Sequence, residues 1–297
     1  MRGSATMDMT NRAGTADFAP ARRRTAAFAL LALASLPLAA CQSAGPVLDM
    51  TKVELEQGSQ ENIGSLSAVI ARSPRDPEAY NMRGSAYGRA GRYEEALADF
   101  NQVIALNPNS YQAYANRALI HRNMKNDAAA LQDYNRALQI NPNYDVALIQ
   151  RGELFRQAGR STEAFADFQR AIQLDTTDPL AYYRRGLLYQ SGGQHDFAIE
   201  DFAKAISMAP RSPHGYNARG LSYLARGDAD NASSDFNTAI KLDKNNAEGW
   251  FNQAVLLETQ GDLARARRSY AEAVRLDPNY QLAKAGLERT RRATGSS

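Results

Sequence analysis

A period of 34 residues runs through most of this 297-residue chain. Six consecutive segments repeat one pattern, at 77–110, 111–144, 145–178, 179–212, 213–246 and 247–280. The second half of the first segment reads ALADFNQVIALNP, and the next reads ALQDYNRALQINP. Apolar residues recur three and four places apart on both sides of a central turn, which indicates two helices in each segment. Repetition at this period favours an elongated array whose units pack only against their neighbours.

Small residues mark fixed places in the repeat. An alanine in the predicted second helix is present in every unit, where it lets two helices approach closely: Ala96, Ala130, Ala164, Ala198, Ala232 and Ala266. A glycine at the central turn is present in five units: Gly91, Gly159, Gly193, Gly227 and Gly261. Lys125 and Asn126 replace this glycine in the second unit. Thr176 and Lys244 replace the closing proline of two units, and we expect them to loosen a turn without changing the fold.

These features resemble the tetratricopeptide repeat over residues 77–280. The resemblance implies an all-α fold, an α-solenoid of six helix hairpins. Residues 59–76 fit the frame of a second helix, and we interpret them as an N-terminal half-repeat helix. Residues 281–293 are predicted to form a capping helix with a polar outer face, and 294–297 a disordered end.

An arginine recurs at one place in five units, and an aspartate follows it 16 residues later. The two lie at equal distances from the central turn, so an antiparallel hairpin places them side by side. The sixth unit loses both together, having Gln253 and Ser269. We interpret the charges as structural ion pairs and not as a ligand site, because an arginine paired internally has few donors left. The pairs are Arg83 with Asp99, Arg117 with Asp133, Arg151 with Asp167, Arg185 with Asp201, and Arg219 with Asp235.

The first 40 residues predict a lipoprotein signal peptide that is removed. Three arginines at 22–24 precede the apolar run TAAFALLALASLPLAA, which is too short for a comfortable membrane span. The run ends in LAAC at Cys41, the one cysteine of the chain. This resembles the bacterial lipobox, which implies acyl chains on the thiol of Cys41 and a lipid-anchored tether over 41–58. An ordinary signal peptide with a coincidental cysteine is the alternative.

Residue 42 is Gln and not Asp. In lipoproteins of the familiar Gram-negative type, this implies an outer-membrane location facing the periplasm. Met7 or Met9 could be the start in place of Met1. The chain carries a net charge of +3, but residues 1–40 hold five basic and two acidic groups, which accounts for the whole excess. A neutral mature chain argues against a nucleic-acid partner.

The sequence lacks the motifs that commonly indicate an enzyme. Its three histidines have no metal-ligand spacing, and no phosphate-binding loop or nucleophile elbow is present. We therefore predict no catalytic residue, no metal, no cofactor and no enzymatic activity.

What the resemblance offers instead is a concave surface formed mainly by first helices, which we expect to bind protein partners. The inward places include Asn81, Ser85, Arg89, Ala115, Leu119, Ile149, Glu153 and Asn217. Six further inward places, in the last three units, are apolar and are the candidate partner-binding residues: Tyr183, Leu187, Leu221, Leu224, Phe251 and Val255. The sequence leaves open whether these six pack between repeats or stay exposed. The Lys and Asn clamp of chaperone-tail receptors is not present.

In architecture the chain is similar to outer-membrane lipoproteins of the NlpI type. The resemblance implies a scaffold or adaptor for envelope proteases or cell-wall hydrolases. The alternative is a pilotin-like lipoprotein that assists secretin or pilus assembly. The sequence does not decide the identity of the partner or whether the chain forms homo-oligomers.

Overall fold

The computed structural model describes residues 58–295, with their side chains up to residue 293. Within this range the chain forms fourteen α-helices and no strand, so the predicted all-α solenoid is confirmed. Helix α1 (Gln60–Arg72) comes before the first unit, and α14 (Gln281–Gly295) follows the last. The first helices of the six units are α2 (Pro77–Arg89), α4 (Tyr111–Asn123), α6 (Asp145–Gln157), α8 (Pro179–Ser191), α10 (Pro213–Ala225) and α12 (Ala247–Thr259). The second helices are α3 (Tyr93–Leu106), α5 (Asp127–Ile140), α7 (Ser161–Gln173), α9 (His195–Met208), α11 (Ala229–Leu242) and α13 (Leu263–Leu276).

The contacts between helices give the array its curvature. Each helix packs against the next one along the chain. The first helices of neighbouring units also contact each other, as α6 does with α8 and α8 with α10. No comparable contact joins second helices of neighbouring units within residues 58–295. The first helices therefore line the inner side of the array and the second helices its outer side.

The core of each unit is an aromatic ring from the second helix. These rings are at most 1% exposed: Phe100, Tyr134, Phe168, Phe202, Phe236 and Tyr270. In the third unit the ring of Phe168 lies against Gly152, where an added Cβ would come within 2.7 Å of a ring carbon. Glycine at position 152 therefore lets the two helices approach closely, because a Cβ there would require the ring of Phe168 to shift.

The central turns place one residue in the left-handed backbone region. Glycine occupies it in five units, at φ values of 72° to 79°. In the second unit Lys125 takes the same conformation, with a φ of 62°. Asn126 then begins α5 by accepting a hydrogen bond from the N–H of Ala129.

The turn at Thr176 is held and not loosened. The Thr176 side chain is buried, and its hydroxyl donates to Asp145 Oδ2 at 2.6 Å. Oγ1 of Thr176 also accepts from the N–H of Asp178 at 3.2 Å. Our expectation for this residue was therefore wrong, because a threonine hydroxyl can tie two chain segments together where a proline would only stiffen one.

The two ends of the described array differ slightly from the sequence prediction. Ser59 caps α1, its hydroxyl accepting from the N–H of Asn62. Helix α14 continues to Gly295, so it includes two residues that were assigned to the disordered end. The predicted signal peptide, Cys41 and nearly all of the tether lie outside the described residues.

Candidate functional site

The inner side of α8, α10 and α12 carries the six apolar candidates, which we call the apolar groove: Tyr183, Leu187, Leu221, Leu224, Phe251 and Val255. All six are half-buried. Tyr183 packs its ring 5.8 Å from that of Phe202, and Phe251 lies 4.9 Å from the ring of Tyr280. The clusters in which the six side chains pack also include a residue of the following unit or helix: Ala218, Leu256 and Ala283. Both of the arrangements that the sequence left open therefore hold in part, because the six side chains pack between repeats and keep some surface free.

Four of the other residues that were predicted to face inward are buried. Ala115, Ile149, Glu153 and Asn217 are at most 4% exposed. They fill the contact between neighbouring first helices and leave no free surface. Leu119, in contrast, is 38% exposed.

The five repeated arginines each face their aspartate in the structure. Arg83 is typical: its Nε and Nη2 donate to both carboxylate oxygens of Asp99 at 2.8 and 2.7 Å. The aspartate side chains are 6–8% exposed and the arginines 14–22%. For Arg83, Arg117, Arg185 and Arg219, the hydrogen bond to the aspartate raises the pKa of the guanidinium.

Four of these arginines also reach into the preceding unit. Nη1 of Arg151 donates to Asn135 Oδ1 at 2.8 Å, and Nη1 of Arg117 donates to Asn101 at 2.6 Å. Ser67 and Gln169 accept from Arg83 and Arg185 in the same way. Each of these arginines thus joins three helices. In the sequence, a polar residue 16 places before the arginine marks this contact. Equal distance from one central turn predicts only the pairing of the arginine with its aspartate, and it does not predict this further contact.

A second charged group, which we call the Glu153 cluster, was not predicted. It consists of Arg122, Glu153, Arg156 and Arg184, on the first helices of the second to fourth units. Arg156 donates to both carboxylate oxygens of Glu153 at 2.8 and 2.9 Å, and Arg184 Nη1 lies 2.7 Å from Oε1. Gln157 also donates to Oε1 at 2.8 Å.

The contact between Glu153 and Arg156 favours the charged form of both residues. Burial alone would raise the pKa of Glu153, but the hydrogen bond from Arg156 and the charges of Arg184 and Arg156 outweigh it, so the pKa is lowered. The hydrogen bond to Glu153 raises the pKa of Arg156. Arg122 donates to the neutral side chain of Gln150, and no carboxylate in the described region forms an ion pair with it.

An apolar pocket lies between α8, the end of α9 and the start of α10. Its walls include Leu180, Tyr183, Ile206 and Gly215. Tyr183 is shared with the apolar groove. Burial and the charge of Glu248 raise the pKa of Tyr183, while the charges of Arg184 and Arg156 oppose that shift. The charge of Glu153 adds to the upward shift.

Two negative observations concern the described residues alone. No group of three or more His, Cys, Asp or Glu side chains in that part of the chain could hold a metal ion. None of its helices has the length and apolar character needed to cross a membrane.

Comparison with known families matches most of the array. Models described as "Tetratricopeptide repeat" match residues 63–99, 81–145 and 217–280, and another with that description matches 179–212. A model described as "TPR repeat" matches 152–193. No curated protein matches the chain in sequence.

Solved structures share the fold. A chain of the APC/C hetero-tetramer Cut9–Hcn1 aligns with a TM-score of 0.71 and 17% identity, over 81% of this chain and 48% of that one. This chain thus spans about half the length of that protein. PilF of Pseudomonas aeruginosa aligns with a TM-score of 0.65 and 20% identity, over 72% of this chain and 98% of that one. PilW, described as a type IV pilus biogenesis factor, gives 0.65 and 19%, over 71% and 98%.

Proposed function

Since this chain belongs to the tetratricopeptide repeat family, whose fold is typically a scaffold for protein–protein interaction, we propose that it is a lipid-anchored adaptor of the bacterial envelope. It binds protein partners through the apolar groove. Acyl chains on Cys41 hold it on the outer membrane, where the array faces the periplasm. The partners are envelope proteases or cell-wall hydrolases, as the resemblance to the NlpI type implies.

The observation that carries the proposal is the half-buried state of the apolar groove. A side chain that packs on one side and stays free on the other is held in place before a partner arrives. Little conformational entropy is then lost on binding. Large apolar residues in such positions are typical anchors of protein interfaces.

The lipid anchor is tested by replacing Cys41 with Ala. We expect an unprocessed precursor or a protein that fractionates with the soluble envelope contents, because no acyl chain can then hold it on a bilayer. The matched control is Ser43→Ala, two residues further along the same segment. A Cys41→Ala protein of mature size that still floats with membranes would contradict the anchor.

A second function, assistance of secretin or pilus assembly, is favoured by one observation. PilF and PilW both align over 98% of their own length. At 19–20% identity this likeness is one of fold. Deletion of the gene distinguishes the two functions. Loss of secretin multimers supports the assembly function. Intact multimers together with altered protease or hydrolase activity support the adaptor function.

A further inference from the structure

The sixth unit has a groove on the outer side of the array, which we call the Trp250 groove. It lies between α11 and α13, over α12. Its volume of about 460 Å³ is within the range of ligand pockets. Its lining includes Ser233, Asn237, Trp250, Gln253, Arg265 and Arg268.

This unit carries positive charge at the rim of the groove and not at its floor. The floor has the neutral residues Gln253 and Ser269, where the other units have an arginine and an aspartate. Arg265 and Arg268 lie on α13, at two places that hold no cation in any other unit. The residues at these two places in the other five units are Glu95 and Ala98, Ala129 and Gln132, Glu163 and Ala166, Phe197 and Glu200, and Asn231 and Ser234. The fold of the repeat therefore does not require these arginines.

The position of Arg265 is also unfavourable within its own helix. The first turn of a helix favours negative charge, and the second helix of each of the other five units has an aspartate or glutamate there. The first turn of α13 has no acidic residue and contains Arg265 instead. Arg265 pairs with Asp262, whereas no carboxylate of the described residues forms an ion pair with Arg268. Two cations in this setting indicate a role toward an anion from outside.

One carboxylate also lines the groove. Glu272 accepts from Arg275 at 2.9 and 2.6 Å, so its charge is balanced. The charged residues of the lining and their ion-pair partners together comprise three arginines and two carboxylates. One positive charge remains, and Arg268 carries it at an exposed position.

Trp250 gives the groove a flat apolar wall. Its Nε1 donates to the backbone carbonyl of Lys244 at 3.0 Å, which fixes the orientation of the ring. It is the single tryptophan of the chain. The hydroxyl of Ser233 and the side-chain amides of Asn237 and Gln253 lie along the same groove. An aromatic ring beside amide and hydroxyl groups suits a sugar, which has an apolar face of C–H groups and hydroxyls at its edge.

We propose that the Trp250 groove binds a sugar that carries an anionic group, with the sugar ring against Trp250 and the anion on Arg268 and Arg265. A guanidinium suits this anion, since it donates two parallel hydrogen bonds to a carboxylate or a phosphate. A uronic acid and a sugar phosphate share this chemistry. The groove lies on the outer side of the array, so it is separate from the apolar groove and does not depend on the proposed adaptor function.

The fluorescence of Trp250 tests this proposal directly, because no other tryptophan contributes to the signal. The purified chain is titrated with two charged sugars, tetragalacturonate and glucose 6-phosphate, and with their uncharged counterparts, the methyl ester of tetragalacturonate and glucose. We expect a saturable change with at least one charged sugar, at a concentration about tenfold lower than with its uncharged counterpart. The charged sugar that responds distinguishes a carboxylate from a phosphate. An equal response to the uncharged sugars, or no response to any of the four, overturns the proposal.

Two further probes distinguish a sugar from other anions. Inorganic phosphate alone and vesicles of phosphatidylglycerol are titrated in the same way, and we expect both to act more weakly than the charged sugar. An equal response to inorganic phosphate would show a simple anion contact. A response to the vesicles alone would show a membrane surface. Either result overturns the proposal.

Two variants locate the binding in the groove. Arg268→Gln removes the unpaired cation and should weaken the responding sugar about tenfold, the value of one charge-assisted contact. The matched control is Lys241→Gln, which removes an exposed cation from neighbouring α11 outside the groove and should leave binding unchanged. Both positions are exposed, so circular dichroism should stay the same in both variants. Binding that survives Arg268→Gln in full, or that falls equally in the two variants, overturns the site.

Discussion

The hydroxyl of Ser269 donates to Gln253 Oε1 at 2.8 Å, at the place where the other five units have an aspartate and an arginine. Gln253 in turn donates to Asn237 Oδ1 at 2.7 Å, as Arg151 does to Asn135 in the third unit. The sixth unit thus keeps the three-helix connection and loses only the charges. What the repeat requires at this place is a chain of hydrogen bonds between helices, and charge is one way to make it.

The third unit can be converted to the neutral form of the sixth. Asp167→Ser alone leaves Arg151 half-buried without its carboxylate, and we expect a loss of about 2–3 kcal/mol in the free energy of unfolding. Arg151→Gln added to Asp167→Ser rebuilds the arrangement of the sixth unit and should return stability to within about 1 kcal/mol of the unchanged chain. Urea denaturation measures both. Losses that simply add would show that the two residues do not interact.

Replacement of tyrosine by phenylalanine should have opposite effects on stability at two buried positions. The hydroxyl of Tyr134 has no hydrogen-bond partner among the described residues, and burial raises the pKa of Tyr134 to about 12. Tyr134→Phe should therefore increase stability by about 1 kcal/mol. Tyr270 donates to Glu258 at 2.6 Å, so Tyr270→Phe should reduce stability by about 1–2 kcal/mol. Thermal unfolding of the two variants provides the comparison, and a shift in the same direction for both would contradict the assignment of these hydroxyls.

The charge of Glu153 should appear in the pH dependence of stability. Its folded-state pKa is lowered, so its contribution is fully present above the unfolded-state value of about 4.3 and is lost as pH falls through the lower folded-state pKa. Near neutral pH, Glu153→Gln should cost about 2 kcal/mol, because two arginines lose their carboxylate. The difference between the two proteins should shrink below about pH 4. A difference that stays constant down to about pH 2 would show that Glu153 does not titrate with the fold.

The fold and the ion pairs could be predicted because they follow from the repeat itself. Equal distance from a central turn is visible in one unit, and it was enough to pair Arg151 with Asp167. The loss of both charges in the sixth unit was visible too. The hydrogen bond between Ser269 and Gln253 could not be predicted. A repeat pattern shows which residue types are kept at a place, but it does not show which atoms are in contact.

The Glu153 cluster could not be predicted in the same way. Glu153 and Arg184 lie in different units, at places that do not repeat as charges elsewhere in the array. Their contact depends on the distance between the first helices of neighbouring units. The pattern within one unit does not determine that distance. The half-burial of the apolar groove has the same origin, since the free surface of Leu187 or Leu221 depends on the curvature of the array.

Photo-crosslinking in intact envelopes tests the adaptor function most directly. A photoreactive phenylalanine at Leu187, and separately at Leu221, places the probe in the apolar groove. The matched controls carry it at Lys204 and Lys241, which are exposed on the outer helices. We expect a discrete protein adduct from the groove positions and none from the controls. Adducts from Lys204 and Lys241 alone, or from all four positions equally, would contradict partner binding through the groove.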